Sequence, residues 1–115
     1  MSDPSILNAI SRVIAERKAN PGAERSYVAS LLQKGPGKIA AKITEEAAEV
    51  NEAAFEPGEE GREHLVKEVA DLVFHALVML GHRDIPWSDV ETELGKRFGT
   101  SGIDEKESRG KTKGE

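Results

Sequence analysis

Two short acidic clusters carry the residues best placed to do chemistry, Glu45-Glu46-Ala47-Ala48-Glu49 and Glu68-Val69-Ala70-Asp71. On a helix, residues three or four apart stand one above the other. Glu46 with Glu49 therefore forms one carboxylate pair, and Glu68 with Asp71 a second. Glu56-Pro57-Gly58 lies between them and lets the chain turn back. Two antiparallel helices would then set these carboxylates across one seam. Like charges at that density repel, and removing them from water is costly unless something neutralises them. An all-oxygen donor set suits a hard divalent cation, Mg2+ or Mn2+. The competing reading is a solvated acidic face, since a single Glu-x-x-Glu is common on helix surfaces. Against it, the carboxylates flank the apolar stripes of their helices, and the second cluster runs into the most apolar segment of the chain.

Several other residues are candidates. Lys38 and Lys42 sit near the start of the same helix as the first cluster. There a positive charge opposes the helix dipole, so either Lys42 pairs with Glu46 or the lysines serve as phosphate contacts beside a metal. His75 is four residues beyond Asp71 on an apolar helix, where a hydrogen-bonded core histidine is the ordinary role and a ligand or acid–base group the alternative. A ferritin-like di-iron centre wants a Glu-x-x-His pair. Here Glu68 is followed at that spacing by Asp71 and Glu46 by Glu49, which argues against di-iron chemistry. Ser26 reads as a helix cap, and no Ser-His-acid set is visible. His64 and His82 carry no usable signal.

The elements that position these residues follow from periodicity. Pro4 to Asn20 has a helical stripe of Ile6, Leu7, Ile10, Val13 and Ile14, with Asp3 as N-cap and Pro4 at the first helical position. Ser26 caps a second helix through Val28, Leu31 and Leu32 to about Lys34, and Gly35-Pro36-Gly37 breaks the chain. A third helix runs from about Lys38 to Phe55, with Ile39, Ile43, Ala47, Val50 and Ala54 in a sector of about 80°. Lys42, Glu46 and Glu49 lie along one flank of that sector, and Glu45 points further out.

A fourth helix runs from Glu59–Arg62 to about His82, with Leu65, Val66, Val69, Leu72 and Val73 inward. From Leu72 to Leu80 it is apolar nearly all round, as expected of a central bundle helix or a subunit interface. Gly81 loosens its end. Ser88-Asp89-Val90-Glu91 has capping-box spacing and opens a last helix through Leu94 to Phe98. The expectation is an all-α bundle of four or five helices. It would be one domain over residues 1–98, followed by a polar, partly disordered tail over 99–115.

Composition narrows the function classes. At 115 residues with 4% aromatics, the core must be built from Ala, Leu, Val and Ile. The absence of cysteine removes disulfides, thiolate metal sites and cysteine nucleophiles. A net charge of -5 argues against non-specific nucleic-acid binding. It also means that a phosphate-bearing substrate would need a bound cation. The start Met1-Ser2-Asp3-Pro4 has no basic region followed by an apolar run, and no apolar stretch approaches the ~20 residues that span a bilayer. A cytoplasmic protein is the default expectation.

The order Glu46-x-x-Glu49, spacer, Glu68-x-x-Asp71 resembles the all-α nucleoside triphosphate pyrophosphohydrolases, the MazG-like superfamily. Longer segments narrow the resemblance to the phosphoribosyl-ATP pyrophosphohydrolase family. They are Ser26-Tyr27-Val28-Ala29-Ser30-Leu31-Leu32, Lys34-Gly35, Lys42 to Glu49, Glu68 to His75, and the tail from Ser101 to Arg109. The resemblance implies hydrolysis of phosphoribosyl-ATP to phosphoribosyl-AMP and pyrophosphate with Mg2+, the second step of histidine biosynthesis, usually by a homodimer. It implies Glu46, Glu49, Glu68 and Asp71 as metal ligands and Lys42 as a phosphate contact, with Lys38 and Arg109 as further contacts. Glu45 or Glu49 would accept the proton of the attacking water. Thr44 stands where the family commonly has glycine, and Val50-Asn51-Glu52 is more polar than the usual apolar continuation. Many relatives are fused to the cyclohydrolase that acts next, and this sequence implies the single-activity form. A housekeeping pyrophosphatase for non-canonical nucleotides and a non-catalytic helical dimer are the rival readings.

Overall fold

The computed structural model describes residues 5–22 and 26–99 of the chain. Five helices follow one another: α1 (Ile6–Ala19), α2 (Tyr27–Lys34), α3 (Pro36–Ala53), α4 (Gly58–His82) and α5 (Trp87–Phe98). There is no strand among the described residues, so the all-α expectation holds. The antiparallel α3–α4 hairpin is the most extensively packed pair; α1 and α2 lie against it, and α5 rests on α1. Ile14, Leu31, Ile39, Leu77 and Val78 form the buried core, one or two residues from each of α1 to α4. All five are aliphatic, as the low aromatic content required.

Helix ends explain most departures from the sequence reading. The first helix starts at Ile6, and its cap is Ser5, whose Oγ accepts from the Asn8 N–H at 3.1 Å. The expected N-cap Asp3 and the expected first helical residue Pro4 lie outside the described residues. Ser26 does cap α2, its Oγ accepting from the Ala29 N–H at 2.9 Å. The Gly35-Pro36-Gly37 break contracts to one residue. Gly35, at φ +93°, closes α2 and opens α3, while Pro36 takes the first helical position and Gly37 is already helical. A positive φ of that size suits glycine alone, and proline at the first helical position loses no hydrogen bond.

Three further expectations are corrected. At the end of α3 the inward alanine is the fully buried Ala53, and Ala54 is exposed. On α4, Val66 and Val69 face outward, 59% and 40% exposed. Ser88 and Glu91 form no capping box: α5 begins at Trp87, behind Pro86, so Ser88 is already inside the helix. Ser11 holds that end instead, its Oγ accepting from the Trp87 N–H at 3.0 Å.

Gly81 lies within α4 and does not loosen it. A Cβ there would overlap the Cγ2 of Ile14, so the missing side chain is what lets α1 approach. The turn after α4 is fixed by Lys18, whose Nζ donates to the His82 carbonyl at 2.8 Å and to Asp84 Oδ1 at 2.9 Å. A cation at a helix C-terminus also complements the helix dipole.

Candidate metal centre

The α3–α4 hairpin brings both acidic clusters together. Carboxylate oxygens of Glu46, Glu68 and Asp71 lie within 4.8 Å of one another, and so do ligand atoms of Glu49, His64 and Glu68. Glu68 belongs to both groups and is only 8% exposed. The Oε1 atoms of Glu46 and Glu68 are buried without a hydrogen-bond partner. A buried, unpaired carboxylate oxygen is costly. Oxygens placed so that each could reach a common point are what an oxygen-liganded cation requires. The donor set therefore fits a metal ion; Glu46, Glu49, Glu68 and Asp71 each fall in one or both of the two groups, and Glu45 falls in neither.

Electrostatics point the same way. Burial, first of all, pushes the Glu46 carboxyl up to about 7; its contact with Glu68 and the charges of Asp71, Glu68 and Glu49 add to this. The charge of Glu68 raises the Glu49 carboxyl, with a hydrogen-bonding contact to Glu68 next. Hydrogen bonding with Glu46 draws Glu68 below the usual carboxylate range against the effect of its burial. The cluster thus holds protons near neutral pH, as crowded carboxylates do.

A pH dependence follows. Glu46 and Glu49 bind protons more tightly in the folded state than in the unfolded one, so stability is lost as the pH rises through their folded values, about 7 for Glu46. His64, raised above 6.5 chiefly by its bond with Glu56, contributes in the same direction, since its stabilisation is lost as pH rises through its folded value. Glu68 acts oppositely, but only below its ordinary 4.5. The metal-free melting temperature is expected to fall from pH 5 to pH 8, and saturating divalent cation to remove most of the fall. Thermal melts with and without chelator check this, and a metal-free melting temperature that rises over the interval would contradict it.

The lysines differ from expectation. Lys42 Nζ donates to Glu45 Oε1 at 3.1 Å and does not pair with Glu46. That bond is the main cause raising the Lys42 ammonium above 10.5. Lys42 and exposed Glu45 thus sit together at the edge of the cluster, while Lys38 is exposed one turn earlier on α3. Arg109, with the whole tail from Ser101, lies outside the described residues.

His75 is a satisfied core histidine. Its Nδ1–H donates to the Asp71 carbonyl at 2.9 Å, which leaves Nε2 to accept from the Tyr27 hydroxyl at 2.9 Å. Tyr27 also stacks on Phe74 at 6.1 Å. This chain ties α2 to the turn of α4 that bears Asp71. Tyr27→Phe leaves the buried Nε2 without its donor and is expected to cost about 1–2 kcal/mol, read as a lower urea midpoint at unchanged slope; an unchanged midpoint would mean that the bond contributes nothing.

The residue that sequence reasoning missed is His64. Its Nδ1 lies 2.9 Å from Glu56 Oε1 and its Nε2 lies 3.2 Å from Glu68 Oε2. The four-residue spacing to Glu68 was a usable signal; the contact with Glu56 depends on the turn.

The family model described as phosphoribosyl-ATP pyrophosphohydrolase matches residues 7–98. A phosphoribosyl-ATP pyrophosphatase of Geotalea daltonii is 55% identical over 105 residues, covering 90% of this chain and 94% of that protein. One from Geobacter metallireducens is 55% identical over 107 residues, 92% of this chain and 94% of that protein. One from Neisseria meningitidis serogroup C is 48% identical over 106 residues, 91% of this chain and 94% of that protein.

Proposed function

The chain belongs to the phosphoribosyl-ATP pyrophosphohydrolase family, and from that premise we propose that it hydrolyses phosphoribosyl-ATP to phosphoribosyl-AMP and pyrophosphate, in histidine biosynthesis. The observation that carries the reading at the level of residues is the pair of ligand groups sharing the buried Glu68. Glu46, Glu49, Glu68 and Asp71 would hold Mg2+, or Mn2+ in its place. A divalent ion, when bound, supplies neutralisation of the triphosphate charge and a lowered pKa for water.

The protein's own groups do the rest. Lys42 reaches the substrate phosphates, and Lys38 extends the positive edge; Arg109 completes the phosphate contacts. As Lys42 turns to phosphate it releases Glu45, which belongs to neither ligand group and can then take the proton of the attacking water. Glu49 stays with the ligands. No covalent intermediate is needed.

Val66, Val69 and Ala70 form an exposed, mostly apolar stripe on α4 at helical spacing, which supports a homodimer seam. No helix among the described residues is long and apolar enough to cross a membrane, in keeping with a cytoplasmic enzyme. The test is pyrophosphate release from phosphoribosyl-ATP with Mg2+, against ATP, dUTP and dCTP. Release from phosphoribosyl-ATP alone is expected, whereas release only from a control would move the chain to a housekeeping role.

A further inference from the structure

We propose that the purine ring of the substrate stacks on Tyr27, beside the carboxylate centre. The inference rests on the phosphoribosyl-ATP reading of the chain and adds to it the group that grips the base. Three observations lead there. First, Tyr27 keeps an exposed ring in a fixed place. It is 49% exposed, yet Phe74 stacks against it with centroids 6.1 Å apart and planes inclined by 23°. The His75 ring meets it edge-on at 5.8 Å, and its hydroxyl lies 2.9 Å from His75 Nε2. Ser26, the residue before it, caps α2. An aromatic ring held on one face, at its hydroxyl and at its helix end has little freedom left to lose when a second flat ring arrives.

Second, the ring stands beside the centre. Two hydrogen bonds of 2.9 Å, one on each side of the His75 ring, link the Tyr27 hydroxyl to the backbone of Asp71. Lys42 is its other neighbour: after the bond with Glu45, interaction with Tyr27 is the next cause that raises the Lys42 ammonium. A nucleotide whose phosphates lie between Lys42 and the carboxylates has Tyr27 within reach of its base.

Third, no other aromatic side chain is so placed. The chain has five. Phe74 and Trp87 pack against the core, Phe55 lies beyond the far end of α3 from Lys42, and Phe98 ends α5. An aromatic face beside a cation that holds phosphate is the pairing by which proteins grip a nucleotide without reading the edge of its base.

Steady-state kinetics and nuclear magnetic resonance test this on the full chain with Mg2+. Tyr27→Leu removes the ring but keeps apolar cover on Phe74. It should raise KM for phosphoribosyl-ATP about 5- to 100-fold with kcat little changed, as loss of base stacking would. Tyr27→Phe keeps the ring and loses only the hydroxyl, and its KM should stay near that of the wild type. The chain has a single tyrosine, so isotope-labelled tyrosine gives one ring to follow. Phosphoribosyl-AMP, which carries the base, should shift its ring protons upfield, and pyrophosphate, which carries none, should leave them in place.

An unchanged KM in Tyr27→Leu overturns the inference and leaves the proposed activity standing. An equal rise in both variants also overturns it, because the lost hydrogen bond would then be the cause. Ring protons that ignore phosphoribosyl-AMP overturn it whether or not either variant folds. Ring protons that move with protein concentration and not with the nucleotide place a second copy of the chain on that face, which overturns it as well. A wild type that releases no pyrophosphate from phosphoribosyl-ATP removes the proposed activity and this inference with it.

Discussion

Glu46→Gln is expected to lower pyrophosphate release from phosphoribosyl-ATP about a thousandfold, roughly 4 kcal/mol of transition-state stabilisation, and to raise the melting temperature of the metal-free protein at pH 8. The two effects have one origin. Glu46 has a buried, unpartnered Oε1 and a carboxyl held up to about 7, with burial the first cause. At pH 8 its charge is therefore carried at a cost in the folded state, and an amide of the same shape removes that cost. The same amide donates one ligand oxygen without charge and cannot neutralise a cation as a carboxylate does. Activity assays and thermal melts on one preparation read both effects. Loss of activity together with loss of stability would assign Glu46 a structural role, and normal turnover would remove it from the site.

Gly61→Ala is expected to be the most damaging small substitution in the hairpin. A Cβ at Gly61 would overlap the carbonyl oxygen of Glu56 and lie 2.6 Å from its carbonyl carbon. Those are backbone atoms, so no side chain can rotate away. Overpacking of this kind costs about 1–3 kcal/mol, and the upper end applies where backbone must move. The better helix propensity of alanine returns less than about 1 kcal/mol. Net destabilisation of about 2 kcal/mol should appear as a lower urea midpoint at unchanged slope. Gly95→Ala, with nothing within 4 Å of the added carbon, is the matched control and should be neutral or stabilising. Equal midpoints for the two variants would mean that the turn at Glu56 yields easily. The displaced segment bears Glu56, so Gly61→Ala should also disturb its 2.9 Å contact with His64.

Much of the site was legible because carboxylates at helical spacing declare a common face whatever the tertiary structure. Glu46, Glu49, Glu68 and Asp71 needed only two helices and a turn to meet, and each was visible in the apolar pattern. His64 was legible only in its four-residue spacing to Glu68, because its other partner, Glu56, lies across a turn whose path no periodicity describes. Val66 and Val69 were misplaced for a related reason. Hydropathy counts them as core, but α3 covers only one side of α4, and the other side is left exposed. Ser88 shows the limit of a cap motif. Pro86 and the bond from Trp87 to Ser11 start the helix one residue earlier than the serine would. The pairing of Lys42 with Glu45 was likewise a choice between neighbours that spacing alone leaves open.

Every proposed metal ligand lies between Glu46 and Asp71, on the α3–α4 hairpin. Contacts this local in sequence form early, since little loop entropy is spent in closing them. The order of events on the folding pathway then matters. The hairpin cannot close without driving its carboxylates together, so their repulsion falls on the barrier as well as on the final state. A divalent cation present during refolding should relieve it there and shorten the folding time, beyond any slowing of unfolding. Cation supply would then govern how fast the enzyme is made competent after synthesis, in addition to how fast it turns over.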